Sequence, residues 1–323
     1  MKLQILIPQY KETDKIIKPL LDSIELQQAV NLATDIGVII VNDGTDVYLS
    51  DTLLSSYSYQ IDYYKHKHKG VSATRNACLD YATADYIMFC DADDMFYNLC
   101  ALHIIFREID KKPFDTFVSK FIEEIRIGDK AEFIDHDLDS TFVHGKVHRR
   151  KYLIDNNIRW NEDLTLHEDA YFHILCQQST SNIVYCDTSF YLWKFRADSI
   201  CRSDPHWVMN TYDHLIKANS ALVSQLVERK LEDIAAFYTA TLLIDAYSVV
   251  NTTSWHKIVS EEHTDSIIKL LRDYYIKYNY LFERLSTIRR DKLSELLQTK
   301  IENIPSLKCE ISFKQWINNI NNF

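Results

Sequence analysis

Tyr86-Ile87-Met88-Phe89-Cys90-Asp91-Ala92-Asp93-Asp94 is an apolar run of strand length that ends in three carboxylates within four residues. Like charges at the tip of a buried strand are costly unless a cation or a set of donors meets them. An acidic triplet standing alone is more often a solvated loop, because short motifs are weak signals. Its position directly after the strand changes that weighting. Open α/β sheets bind ligands outside the carboxyl ends of their strands.

The chain around this stretch repeats the pattern. Leu3 to Ile7 reads as a buried strand ended by Pro8-Gln9-Tyr10, and Gly37-Val38-Ile39-Ile40-Val41 as a second, ended by Asn42-Asp43-Gly44-Thr45. Between them Ile16, Ile17, Leu20, Leu21 and Ile24 recur at helical spacing, with Pro19 expected in the first turn of that helix. Ile61-Asp62-Tyr63-Tyr64 is a weaker third strand, followed by the basic loop Lys65-His66-Lys67-His68-Lys69-Gly70. A helix is predicted from Val71 to about Thr83, with Arg75 and Asn76 in its early turns. Continuous apolar strands alternating with helices predict a parallel sheet covered on both faces. Two strands end in a carboxylate, and a basic loop feeds the helix between them. That is the layout of a nucleotide site.

Composition sets bounds. With 36 basic and 46 acidic residues the 323-residue chain carries a net charge of -10, which argues against general nucleic-acid binding. Length favours two domains. Seven cysteines, at 78, 90, 100, 176, 186, 201 and 309, form no CxxC pair and no zinc-like spacing, so free thiols in a reducing cytoplasm are expected. The apolar run before Pro8 is too short for a signal peptide, and no uncharged apolar stretch approaches the ~20 residues that span a bilayer. The expected location is cytoplasmic, with a visit to the inner face of the membrane left open.

Pro8-Gln9-Tyr10, Val41-Asn42-Asp43-Gly44-Thr45, Gly70-Val71-Ser72-Ala73-Thr74-Arg75-Asn76 and Asp91-Ala92-Asp93-Asp94 together resemble the family 2 glycosyltransferases of the GT-A fold. The usual strings of that family are P-x-Y-N, V-D-D-G-S, G-x-(S/x)-x-A-R-N and D-x-D-D. The resemblance is close over residues 1 to about 100, looser to about 203, and absent beyond. Asn42 replaces the first Asp of the second motif, and His68 stands where an Asn is common. Further on, Leu166-His167-Glu168-Asp169-Ala170-Tyr171-Phe172 is similar to the family's Glu-Asp pair at the head of a helix, where the macrodipole also favours carboxylates. Tyr191-Leu192-Trp193-Lys194-Phe195-Arg196-Ala197-Asp198-Ser199-Ile200 resembles, in shortened form, the segment that closes over the nucleotide diphosphate.

The resemblance implies an α/β fold, a GT-A Rossmann-like mixed sheet flanked by helices and followed by an all-helical C-terminal region. The implied division is a transferase domain over 1–203, with a nucleotide-sugar half to 100 and an acceptor half over 101–203, then helices over 204–323. It implies an inverting, metal-dependent transfer of a hexose or N-acetylhexosamine from a UDP-sugar to a hydroxyl acceptor, in the synthesis of cell-surface polysaccharide or another glycoconjugate. Asp169 would be the general base, with Glu168 as its substitute. Asp93 would hold Mn²⁺ or Mg²⁺, with Asp91 on the ribose or the water shell of the metal; hard cations suit carboxylate and phosphate oxygens. Arg75 would meet the diphosphate or the base, Asp43 would accept from uracil N3–H, and Pro8 and Tyr10 would wall the base pocket. Arg196 and Ser199 would contact the donor from the closing segment.

Two further features remain. Val143 to Leu153 resembles the family's segment with a Gly-Lys pair followed by Arg at a helix start, and in it Lys146, His148, Arg149, Arg150 and Lys151 crowd five basic-capable side chains into six positions, which suits either an anionic acceptor or a solvated helix face. From Pro205 onward apolar positions recur at helical spacing, ending in Tyr274, Tyr275 and Tyr278; such a stripe grips an acceptor or a second copy of the chain, or is simply core. Two other readings compete with transfer: a nucleotidyltransferase, which lacks its Gly-rich phosphate loop here, and a GT-A scaffold that binds nucleotide without chemistry.

Overall fold

The computed structural model describes residues 1–197, Ser199, Arg202, 204–288 and 312–322. It divides into two compact units, Met1–Arg196 and Ala197–Phe323.

The first unit is built on a nine-stranded mixed sheet. Its strands are β1 (Leu3–Gln9), β2 (Ile36–Asp43), β3 (Gln60–His66), β4 (Tyr86–Phe89), β5 (Met95–Phe96), β6 (Thr116–Ile127), β7 (Lys130–His136), β8 (Lys146–Arg149) and β9 (Ile183–Trp193). The spatial order is β3-β2-β1-β4-β8-β6-β9-β5, with β7 paired to β6. β1 lies parallel to both β2 and β4, and β2 parallel to β3; β8 then turns the sheet antiparallel. The chain runs outward from β1 to β3 and returns on the other side of β1 as β4. That reversal is the topological switch point at which open α/β sheets bind ligands.

Burial follows the apolar runs. Every residue of β2 is buried, and Tyr86 to Phe89 are buried throughout, as a sheet covered on both faces requires. Helices α1 (Asp14–Glu25), α2 (Leu32–Asp35), α3 (Asp51–Leu54), α4 (Val71–Tyr81), α5 (Ala101–Lys111), α6 (Arg150–Asp155) and α7 (Glu168–Gln178) complete the unit. In α1, Ile17, Leu20, Leu21 and Ile24 are fully buried. Each contributes roughly 1.5–3 kcal/mol. Pro19 corrects the expected start of this helix. α1 begins at Asp14, so Pro19 lies in its second turn and removes one internal hydrogen bond; the buried stripe on either side outweighs that loss.

The second unit is helical, with Tyr212–Glu228, Glu232–Val250, Glu261–Ile288 and Phe313–Asn322 as its longer elements. Tyr274 and Tyr278 are buried there and donate to Asn219 Oδ1 and the Ser220 carbonyl, at 2.7 and 3.0 Å. These two members of the stripe are core. Glu232–Val250 is long and apolar enough to cross a membrane by length and composition. It also carries Asp245, which accepts from Tyr212, and most of its residues are buried among its neighbours.

Candidate active site

The carboxyl ends of β1, β2 and β4 stand level: Gln9 pairs with Asn42, and the Cys90 N–H reaches the Leu6 carbonyl at 3.0 Å. The chain therefore delivers Tyr10, Asp43 and Asp91 to one edge of the sheet. α4 follows the basic loop and sends Arg75 to the same edge.

Arg75 joins the motifs. Its guanidinium, 3% exposed, donates through Nη2 to Asp91 Oδ1 at 3.0 Å and through Nη1 to Glu168 Oε1 at 3.0 Å and Asp169 Oδ1 at 2.6 Å. It lies 4.4 Å from the centre of the Trp160 ring, which stacks on Phe172 of α7 at 4.2 Å. Arg75 was expected at the diphosphate or base; the structure places it among three carboxylates. Its neighbour Asn76 explains how Trp160 arrives, since the Asn76 amide donates to the Trp160 carbonyl and accepts from the Trp160 N–H, each at 3.0 Å. Nothing in the segment around Trp160 marks it as part of the site. Only the reciprocal bonds to Asn76 do.

Glu168 and Asp169 open α7 after His167, whose backbone is left-handed at φ +59°. A non-glycine residue there is uncommon and turns the helix start sharply. Asp169 keeps 27% of its side-chain exposure. Burial pushes its pKa up, Arg75 pulls it down, and the Glu168 and Asp91 carboxylates push it up again, for a net rise to about 8.

The acidic turn is held by named bonds. The Asp91 N–H donates to the Tyr191 hydroxyl at 3.0 Å, and Asp94 Oδ1 accepts from the Lys194 N–H at 2.9 Å. Asp93 Oδ2 accepts from Arg196 Nη1 at 3.0 Å, and Arg196 also reaches Glu12 at 3.4 Å. Burial and the Asp91 charge raise the pKa of Asp93, with Arg196 opposing. A divalent cation would relieve the raised pKa of Asp93, and both Asp93 and Asp91 offer the hard carboxylate oxygens that such an ion takes. Asp93 and Asp91 thus fit the metal that the resemblance implies.

Asp43 faces inward. Its carboxylate accepts from the Lys69 N–H at 2.8 Å and the Gly70 N–H at 3.0 Å, and bonds His68 Nδ1 at 2.8 Å. Instead of standing open to a nucleobase, it anchors the basic loop. His68 in turn stacks on the exposed Tyr10 at 5.1 Å, which gives the edge an aromatic face. Gly44 makes this approach possible: φ is +75°, and a Cβ there would sit 2.2 Å from the His68 nitrogen. Asn42 is explained as well. Its amide donates to the Val47 carbonyl at 2.8 Å and to Tyr63 Oη at 3.1 Å, which a carboxylate could not do. Pro8 precedes this edge in β1.

The basic cluster requires a correction. β8 buries Lys146 and His148, Arg149 pairs with Asp115, and Arg150 Nε donates to the Ala84 carbonyl at 3.1 Å. Lys151, the exposed member, pairs with Asp155. β8 lies inside the sheet between β4 and β6 with both faces covered, so Lys146, Val147 and His148 are buried in succession; carboxylates neutralise most of the rest, and Lys146, Arg149 and Arg150 form no open basic face. Lys146 donates to the Phe142 carbonyl, and burial lowers its pKa to about 8. Ser199 lies in the second unit, where its carbonyl accepts from the Arg202 N–H at 3.0 Å. Its neighbours Asp198 and Ile200 fall outside the described residues. A separate depression of about 700 Å³, lined by Lys2, Val30, His103 and Phe106, opens at the amino end of β1, away from these groups.

Residues 4–170, just over half of the chain, match the family described as Glycosyl transferase family 2. An uncharacterized glycosyltransferase of Rickettsia felis is 26% identical over 148 residues, which is 45% of this chain and 23% of that protein. Glycosyltransferase GlyA of Streptococcus pneumoniae serotype 4 is 22% identical over 262 residues, covering 70% and 34%. The chain thus spans about a third or less of the length of these curated relatives. Among solved structures, S. aureus TarS 1-349 in complex with UDP superposes with a TM-score of 0.66 at 20% identity, covering 94% of this chain and 87% of that one. The same TarS fragment has been solved with UDP-GlcNAc. Mannosyltransferase PcManGT from Pyrobaculum calidifontis, in complex with GDP-Man and Mn2+, gives 0.50 at 12% identity over 87% and 84%. The likeness to TarS identifies the fold as GT-A.

Proposed function

The chain belongs to glycosyl transferase family 2, and we propose that it moves a hexose or N-acetylhexosamine from a UDP-sugar to a hydroxyl acceptor, with inversion and with the help of Mn²⁺ or Mg²⁺. The observation that carries this reading is the Arg75 cluster. One buried guanidinium ties Asp91, beside the expected diphosphate, to Glu168 and Asp169, beside the expected acceptor. The two ends of a displacement reaction are thereby held in one rigid group. Complexes of TarS with UDP and with UDP-GlcNAc support the choice of donor.

In the proposed reaction the acceptor oxygen attacks the anomeric carbon as Asp169 takes its proton. The bond from that carbon to the β-phosphate oxygen breaks, and UDP leaves. A single base on the face opposite the leaving group gives inversion, by the stereochemical logic of glycosidases. Arg75 keeps Asp169 oriented and ionisable. Asp93 and Asp91 would hold the cation, which neutralises charge on the departing diphosphate. Arg196, now on Asp93, would reach the donor. Tyr10 and His68 would stack on the base, with Pro8 beside them and Asp43 fixing the loop.

The proposed acceptor is a carbohydrate or glycoconjugate. The test is release of UDP from a panel of UDP-sugars with and without Mn²⁺. Metal-dependent hydrolysis of one donor, lost in Asp93→Ala, is the expected result. Absence of both hydrolysis and calorimetric UDP binding would remove the reading in favour of another nucleotide.

A further inference from the structure

We propose that Asp91, Asp94 and His144 form an inner divalent-cation site that is bound without nucleotide, shares Asp91 with the diphosphate site and does not use Asp93. One carboxylate oxygen of each aspartate and one ring nitrogen of the histidine lie within 4.8 Å of one another. Among the described residues, His144 Nδ1 is buried with no hydrogen-bond partner, and Asp94 Oδ2 has none either, the Tyr191 hydroxyl being the side-chain donor beside that carboxyl; the two side chains are only 4% and 1% exposed. They face each other at 3.7 Å, too far for a hydrogen bond but within the span that one ion bridges at about 2.0–2.2 Å from each ligand.

The surroundings keep both atoms aimed at the gap. Asp94 is fixed through its other oxygen by the Lys194 N–H. The His144 ring is boxed by Phe121, Tyr191, Trp193 and Phe142, with ring centres 4.9 to 5.7 Å away, so it has no free rotation toward another partner. Gly145 sets the approach: φ is +68°, and a Cβ there would meet Ser119 Oγ at 2.3 Å. Among the described residues, no lysine or arginine comes within ion-pair distance of Asp94. Asp91, partly exposed, gives the ion its way in.

The imidazole beside two carboxylates suits a transition ion better than Mg²⁺ or Ca²⁺, which take oxygen ligands; Mn²⁺, a hard ion that accepts carboxylate, is the paramagnetic probe for the site. The ion would tie the turn after β4 to the strand β8 before any donor arrives. The inference rests on no step of the transfer reaction, so its failure and that of the proposed function are separate results.

The experiment is a Mn²⁺ titration of the full chain without nucleotide, followed by electron paramagnetic resonance, with spin-echo modulation to detect a directly bound nitrogen. One Mn²⁺ per chain with nitrogen coupling is expected, unchanged in Asp93→Asn. Affinity should fall at least tenfold in Asp94→Asn and in His144→Phe, which keeps the ring packing and removes the donor nitrogen. No bound Mn²⁺, no nitrogen coupling, or full affinity in His144→Phe would each overturn the site. Loss of binding in Asp93→Asn would also overturn it, by making the ion the one at the diphosphate. If His144→Phe does not fold, nitrogen coupling in the unmodified chain decides.

Discussion

Arg75→Met is the most informative perturbation, because one side chain carries three ion pairs and a cation–π contact. The guanidinium is buried against Asp91, Glu168 and Asp169, and it stacks on Trp160. Methionine keeps much of the volume and the apolar contact with Trp160 but leaves three carboxylates without their common cation. Removing one partner of a buried charge network costs about 3–5 kcal/mol. For a unit the size of Met1–Arg196, at roughly 2–4 °C per kcal/mol, the melting temperature should fall by about 6–20 °C.

The loss should depend on pH with a definite sign. Asp169 has a folded pKa raised to about 8, and Arg75 is the group that pulls it down, so the substitution raises it further. A carboxyl whose pKa is raised on folding costs stability when ionised. The Asp169 share of the Arg75→Met deficit should therefore be full above the variant's own, higher pKa and shrink as pH falls toward about 8, below which Asp169 is protonated in both folded proteins. Catalysis follows the same logic. The base form is needed, so the rate rises with pH through the Asp169 pKa, and this acid limb should move to higher pH in the variant. Differential scanning calorimetry between pH 4 and pH 9, with rates over the same range, measures both. A melting loss under about 2 °C, or a deficit that grows toward low pH, would refute the role of Arg75 as the hub.

Asp169→Asn should lower transfer by roughly 10²–10⁴-fold while UDP affinity, read by calorimetry, stays the same; full transfer would reassign the base. Asp93→Ala should abolish metal-dependent UDP binding with the circular dichroism spectrum unchanged, and retained metal dependence would place the ligand elsewhere. Gly44→Ala should cost roughly 2–4 kcal/mol in urea unfolding, since the new Cβ would lie 2.2 Å from the His68 nitrogen at a positive φ. It should weaken UDP binding too, and an unchanged urea midpoint would show that the loop simply moves aside.

What the sequence by itself determined is local and periodic. Apolar runs such as Gly37–Val41 and Tyr86–Phe89 must be buried on both faces, so a parallel sheet was legible, and the carboxylates at their ends were placed at its edge. Four motifs in order made the family legible as well. Tertiary structure decided which side chains meet. Arg75 and Asp169 are 94 residues apart and join at 2.6 Å because Asn76 brings in Trp160 and Trp160 stacks on the helix that carries Asp169. The run from Lys146 to Lys151 reads as a charged patch until the placement of β8 between β4 and β6 buries Lys146 and His148. His144 carries no motif, and its meeting with Asp94 depends on the pairing of β4 with β8. Periodicity encodes which face of an element is buried. The partner across that face is set by packing between segments distant in the chain, and a single sequence does not encode it in any local pattern.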